Sequence, residues 1–287
     1  MISKPNRAEY FSGFDSQSFF QGKSMNRRSF LTISASSLAL PVLGSARDRK
    51  FDATRSPELY EWRQYQILPG AGKKRFETFI KDAALPAWNR FGISPVGVFK
   101  PVIGSDSLNL YILLVHNSIH SVMSLENALA NDAEYLSAGQ DILQSGVDNP
   151  AILQMNSWLL TAFSHYPRVQ KPAFHQLTDR IYELRIYKSP TEMALDRKIA
   201  MFNQGSTIDL FQKLNLHAIF YGKTVIGHQQ PSLIYMMAFR NLEDREASWK
   251  RFGRSSEWEL LRKDDRFIDS VSSTSKLILC PTEYSQI

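Results

Sequence analysis

Tyr182-Glu183-Leu184-Arg185-Ile186-Tyr187 repeats, 122 positions on, the pattern Tyr60-Glu61-Trp62-Arg63-Gln64-Tyr65. Outward from that pair, Phe91-Gly92-Ile93-Ser94-Pro95-Val96 lines up with Leu214-Asn215-Leu216-His217-Ala218-Ile219 at an offset of 123. Ala133-Glu134-Tyr135 meets Ser256-Glu257-Trp258 at the same 123. A register held over three separated matches marks an internal repeat. The chain beyond its N-terminal segment therefore reads as two copies of one unit, over 54–163 and 176–287, joined by a proline- and histidine-bearing linker over 164–175.

Within the second unit, Ile181–Tyr187 alternates and is rich in β-branched and aromatic residues, which predicts a strand. Ile199, Phe202, Leu210 and Phe211 then recur at helical spacing, as do Phe76, Phe79, Ile80, Ala83 and Trp88 in the first unit. Pro86 and Gly205 are expected to bend or break these helices. Leu216–Tyr221 and Leu233–Phe239 predict two strands joined by a turn-rich connection from Gly222 to Pro231. A second helix is expected from a cap at Asp244, with a break at Gly253, and Leu277–Cys280 closes the unit as a strand. The order strand, helix, strand, strand, helix, strand is the ferredoxin-like (βαββαβ) pattern.

These residues carry a family resemblance. Residues 182–187, with Arg245-Glu246-Ala247-Ser248-Trp249-Lys250-Arg251-Phe252 and Glu257-Trp258, resemble the NIPSNAP family within the dimeric α/β-barrel superfamily. The first unit resembles it through residues 60–65 and Pro69-Gly70-Ala71-Gly72, and departs in its second helix, where Ser124, Asn127 and Ala128 stand opposite Ala247, Lys250 and Arg251. Together the two stretches span residues 58–283. The resemblance implies an α+β protein whose two tandem ferredoxin-like units close one dimeric α/β-barrel within a single chain.

The N-terminal segment has a different character. Residues 26–32 read Asn-Arg-Arg-Ser-Phe-Leu-Thr, followed by a mildly apolar stretch from Phe30 to Leu43 and by Gly44-Ser45-Ala46. Charged, apolar and small-residue segments in that order predict a signal peptide over 1–46 cleaved after Ala46. Arg27 and Arg28 ahead of Ser-Phe-Leu resemble the twin-arginine export signal. The apolar stretch is too short to span a bilayer, which takes about 20 residues, so no stable membrane span is expected after cleavage. The expected destination is periplasmic or otherwise extracytoplasmic, and Met25 is an alternative start.

With 287 residues, 43% apolar and 22% charged, the sequence is that of a globular chain and not a disordered one. Its formal charge of +6 falls to +3 without residues 1–46, which hold five Lys/Arg against Glu9 and Asp15. No basic run interleaved with aromatics follows, so no nucleic-acid partner is expected. Cys280, the only cysteine, has no intrachain partner.

Alternation places Glu61, Arg63 and Tyr65 on one strand face, with Glu183, Arg185 and Tyr187 repeating them. With Leu184 and Ile186 assigned to the helix side, the Glu-x-Arg-x-Tyr face is expected in the space between the sheets. There it serves either as a ligand pocket for a small, partly apolar molecule or as a structural ion pair. The second unit adds His217 opposite Ser94 and Tyr235 opposite Ile112. His217 is read either as a general base near Arg185 or as a packed core histidine.

Other motifs weaken on inspection. His116-x-x-x-His120 lacks the glutamate of the metalloprotease motif, Pro69–Lys74 lacks the phosphate-loop spacing, and no nucleophile elbow is present; no metal site and no catalytic residue are assigned. The residues point first to an exported protein that binds a small ligand in the barrel cavity. Two alternatives rest on fold analogy: a cofactor-independent monooxygenase- or isomerase-like enzyme, or a haem binder using His217 as axial ligand. Cofactor identity and association into a homo-oligomer stay open.

Overall fold

A computed structural model describes residues 56–102 and 108–287; the proposed signal, with Arg27, Arg28 and Ala46, lies outside the described residues. Strand β1 (Leu59–Ile67) leads into α1 (Ala71–Phe79), a π-helical turn (Ile80–Ala84) and α2 (Leu85–Arg90). Then come β2 (Gly97–Pro101), β3 (Asn109–His116), α3 (Ile119–Ala130), α4 (Ala133–Ala138), α5 (Gln140–Leu143) and β4 (Ile152–Ala162). The second half runs β5 (Ile181–Lys188), α6 (Glu192–Asn203), α7 (Thr207–Lys213), β6 (His217–Ile226), β7 (Ser232–Phe239), α8 (Leu242–Gly253), α9 (Ser256–Leu261) and β8 (Ser273–Pro281).

Local chemistry explains the boundaries. Pro86 sits at the start of α2, where a missing N–H costs least. The break between α6 and α7 falls at Gly205 and Ser206, with Ser206 left-handed at φ 61°. A Cβ on Gly205 would lie 2.6 Å from the Met201 carbonyl oxygen, so the turn admits only glycine there. Helix α8 is capped by Asn241 rather than Asp244: Asn241 Oδ1 accepts from the Asp244 N–H at 2.8 Å, and Asp244 Oδ2 accepts from the Arg240 N–H at 3.0 Å. The reciprocal pair moves the helix start upstream of the residue that the sequence suggests.

Pairing is antiparallel throughout. In the first half the strands lie in the order β4-β1-β3-β2 and in the second β8-β5-β7-β6. The two sets join edge to edge, β2 against β8 and β4 against β6, and close an eight-stranded barrel. The fold is thus α+β, a closed antiparallel barrel with helices packed outside. The β4–β6 seam also explains why β6 runs on to Ile226 when a turn is expected from Gly222. Gly222 pairs with Ala162, Lys223 with Thr161 and Thr224 with Leu160, so the extension is held by the other half of the molecule.

Three apolar clusters follow from this layering. The barrel interior is filled by both halves, among them Tyr60, Trp62, Phe99, Leu113, Tyr182, Leu184, Phe220 and Met236. Tyr182 meets Phe99 at 5.0 Å between ring centroids, and Trp62 stacks on Tyr111 at 5.5 Å. Each half has a further cluster between the outer sheet face and its helices, around Phe76, Ile80 and Trp88 in the first and around Phe202, Phe211 and Tyr235 in the second.

Candidate functional site

The Glu-x-Arg-x-Tyr face points outward, under the helices, and not into the space between the sheets. The alternation is as expected, but Tyr60, Trp62, Tyr182 and Leu184 are the residues that enter the barrel, while Tyr65 and Tyr187 pack in the helix-facing clusters. The reason is polarity: a closed barrel packed with rings gives a guanidinium no water and no room, whereas helices can bring it partners. The expected cavity between the sheets is therefore occupied by aromatic side chains.

In the second half, β5 and α8 build a compact polar network. Glu183, fully buried, accepts from Arg185 Nε at 2.7 Å on one oxygen. Its other oxygen accepts from Arg245 Nε and Trp249 Nε1, each at 2.7 Å. Burial alone would raise the Glu183 carboxyl, but Arg185 and Arg245 outweigh it and hold it below the usual carboxylate range. Arg185 Nη1 reaches Tyr187 Oη at 3.2 Å and Tyr235 Oη at 3.4 Å, and the two phenols lie 2.9 Å apart. Its guanidinium lies over the Trp249 ring, 3.7 Å from the centroid, a cation–π contact strengthened by exclusion of water. Burial pushes the Tyr235 phenol well above its ordinary value. The pairing of Arg185 with Tyr235 across β5 and β7 makes this triad.

The first half builds a simpler version. Arg63 donates to Glu61 through Nε at 2.6 Å and Nη2 at 2.9 Å, and Nη1 reaches Tyr65 Oη at 3.3 Å. Here the extra partner of the carboxylate is His116, whose Nε2 lies 3.5 Å from Glu61 and whose Nδ1 meets Ser121 Oγ at 2.9 Å. Burial alone would raise the Glu61 carboxyl; hydrogen bonding from His116 and the charge of Arg63 bring it down to about 2. His116 thus packs beside the Glu61–Arg63 ion pair, a contact that its spacing to His120 does not suggest. Where Tyr235 faces Arg185, the apolar Ile112 faces Arg63.

A cavity of about 140 Å³ lies between the second sheet and α6–α9, lined by Arg185, Tyr187, Lys198, Phe211, Tyr235 and Trp249 among others. Lys198 is the residue that the sequence reading overlooks. It sits in the buried stripe of α6 between Leu195 and Phe202, and burial lowers its amine to about 8. Nζ lies 3.1 Å from Met201 Sδ and 5.6 and 5.7 Å from the Tyr187 and Phe202 ring centroids. Among the described residues no carboxylate is within ion-pair distance of it; Glu192 and Asp196 on the same helix pair with Lys223. The repeat register was the available signal: an offset of 122 places Lys198 opposite Phe76, which packs on Tyr65 at 4.9 Å.

His217 does not join this group. It opens β6 opposite Ala238, a barrel-interior position, and its ring meets Phe174 edge-on at 5.1 Å. Burial lowers its pKa, with Asp244 opposing and Arg240 adding. Arg185 and Tyr235 lie on the opposite sheet face, so His217 cannot shuttle a proton to an oxygen held by Arg185. His217 lies outside the cavity, so it is not placed to offer an axial ligand to a group bound there.

The NIPSNAP family model matches residues 60–167 and 182–286, one copy on each half. No curated protein matches the chain. Among solved structures, a candidate monooxygenase from Lactobacillus acidophilus NCFM aligns with a TM-score of 0.53 and 6% identity, over 78% of this chain and 94% of that one. A second, from Fusobacterium nucleatum subsp. nucleatum, aligns with a TM-score of 0.51 and 8% identity, over 79% and 93%. At these identities the likeness is one of fold. A NIPSNAP-like domain protein from Burkholderia xenovorans is 23% identical over 38% of this chain and 91% of its own, with a TM-score of 0.34.

Proposed function

The chain belongs to the NIPSNAP family, and on that premise we propose that it binds a small, partly apolar ligand with an anionic group between the sheet and helices of its second half. One observation carries the reading: Arg185 and Lys198 both line a cavity whose other walls are mainly aromatic, and Glu183 compensates only the first of them. An uncompensated buried ammonium is costly, and an anion entering the cavity would relieve that cost. The volume sets the size, since about 150 Å³ accommodates a benzene ring. Glu61, Arg63 and Tyr65 are then structural, because Phe76 fills the corresponding space in the first half. A monooxygenase- or isomerase-like reaction at the same place would have to use Tyr187, Tyr235 and Lys198 in place of His217.

Calorimetric titration of residues 47–287 with benzoate and with benzyl alcohol tests the reading. Benzoate should bind measurably more tightly, and Lys198→Met should narrow the difference. Equal affinity for acid and alcohol would overturn it.

The finer architectural reading is part of the same proposal. Units over 54–163 and 176–287 are taken as ferredoxin-like, with the linker over 164–175; the strand order in each half supports this. Export through a twin-arginine signal to the periplasm, with cleavage after Ala46, is proposed from the N-terminal sequence alone. Replacing Arg27 and Arg28 by lysine should leave uncleaved precursor in the cytoplasm, and unaltered export would refute the assignment.

A further inference from the structure

We propose that Lys198 is a nucleophilic amine that forms a reversible imine with a small aldehyde or ketone whose anionic oxygen is held by Arg185. The inference rests on the binding reading above and names its substrate class. Its basis is the set of groups facing Nζ. From β5 come Arg185 and Tyr187, from β7 Tyr235, from α7 Thr207 and Phe211, from α8 and α9 Trp249 and Trp258. None is a carboxylate, and the partners Nζ does have are a thioether and two ring faces. A lysine kept for structure is ordinarily drawn to an acid; Lys223, one strand away, holds both Glu192 and Asp196. Desolvation favours the neutral amine, the form that attacks carbonyl carbon. With the amine near 8 against an ordinary value of 10.5, roughly three-hundred-fold more of it is neutral at pH 7 than for an exposed lysine.

Arg185 is suited to the other end of such a molecule. Its hydrogen bonds to Glu183, Tyr187 and Tyr235 use Nε and Nη1, and none described uses Nη2. The step balances without an oxidant or reductant. The lone pair of Nζ attacks the carbonyl carbon, and the carbonyl π electrons move to oxygen. One proton passes from the nitrogen to that oxygen, giving a carbinolamine. The nitrogen lone pair then expels the hydroxyl group, which takes the second nitrogen proton and leaves as water, so that one C=N bond replaces one C=O bond. The Tyr187–Tyr235 hydroxyl pair, 2.9 Å apart, stands ready to relay the proton.

Salicylaldehyde is a probe of the right size, carrying an aldehyde beside an ionisable oxygen, and salicylate is its unreactive counterpart. Residues 47–287 are incubated with salicylaldehyde at pH 7, reduced with cyanoborohydride, and analysed by intact mass and peptide mapping. The expected result is one adduct at Lys198, formed at least ten-fold faster than at any other lysine and slowed by excess salicylate. Lys198→Arg, which keeps the charge and whose fold is checked by its far-ultraviolet spectrum, should lose that adduct while still binding salicylate. Adducts spread over surface lysines, unchanged in Lys198→Arg, would overturn the imine. If salicylate still binds in that case, the binding reading stands; if it does not, both fail.

Discussion

Glu183 shows how one side chain organises the second half. A single buried carboxylate receives Arg185, Arg245 and Trp249, and so ties β5 to α8. Glu183→Gln keeps the size but leaves Arg185 without its carboxylate and Arg245 with only the exposed Glu246, and should cost about 3–5 kcal/mol in denaturant unfolding at pH 7. The sign of its pH dependence follows from the depressed folded-state pKa. The carboxylate's contribution is present above the ordinary value of 4.5 and is lost as pH falls through the lower folded value. Wild type and variant should therefore converge in acid, and a constant gap down to pH 2 would contradict the assignment. Lys198 behaves in the opposite range. Its folded pKa of about 8 lies below the ordinary value of 10.5, so between those values the unfolded chain binds more protons, and stability rises with pH. The wild type should gain on Lys198→Met across that window; a flat difference would mean that the amine is not desolvated.

At the scale of elements, the strands and helices were legible because periodicity is a local property. Ile181–Tyr187 is read as a strand and is one, over Ile181–Lys188, and Gly205 ends a helix as expected. What could not be read is which face of β1 and β5 turns inward, since both faces carry large rings and only closure of the barrel decides between them. For the same reason Tyr235 was found and His217 misplaced: the first depends on direct pairing with Arg185, the second on a β6 register that shifts between Ala218 and Phe220. The length of β6 was illegible too, because its last residues pair with the other half. Gly222 is the test of that seam. A Cβ there would lie 2.8 Å from Leu160 Cβ, and Leu160 is fully buried. Gly222→Val should destabilise by about 1–3 kcal/mol through overpacking, seen as a lower midpoint in urea, whereas Gly253→Ala, which meets open space, should change little. Equal effects of the two would mean that β4 and β6 are not in contact.

For the whole molecule, the consequence of tandem repetition is that neither half has a complete core. The interior cluster draws Tyr60, Trp62 and Leu113 from one half and Tyr182, Phe220 and Met236 from the other. The halves are joined along β2–β8 and β4–β6, and the connecting segment bridges both, with the Val169 N–H donating to Glu58 at 2.7 Å and the Gln170 N–H to the Ile219 carbonyl at 2.8 Å. Cutting the chain after His175 would expose an apolar sheet face and two open strand edges on each fragment, both of which promote association. Residues 47–175 and 176–287, expressed separately, should be insoluble or self-associated. Expressed together, they should elute as a soluble one-to-one pair with the far-ultraviolet spectrum of the intact chain. The cavity is lined wholly by residues 185–258, yet it stands on β5 and β7, whose inner faces need the first half. Benzoate binding should therefore return with the pair and be absent from the second fragment alone. A fragment that is monomeric, melts cooperatively and binds benzoate by itself would show that the repeat is an independent domain and that barrel closure is not what supports the site.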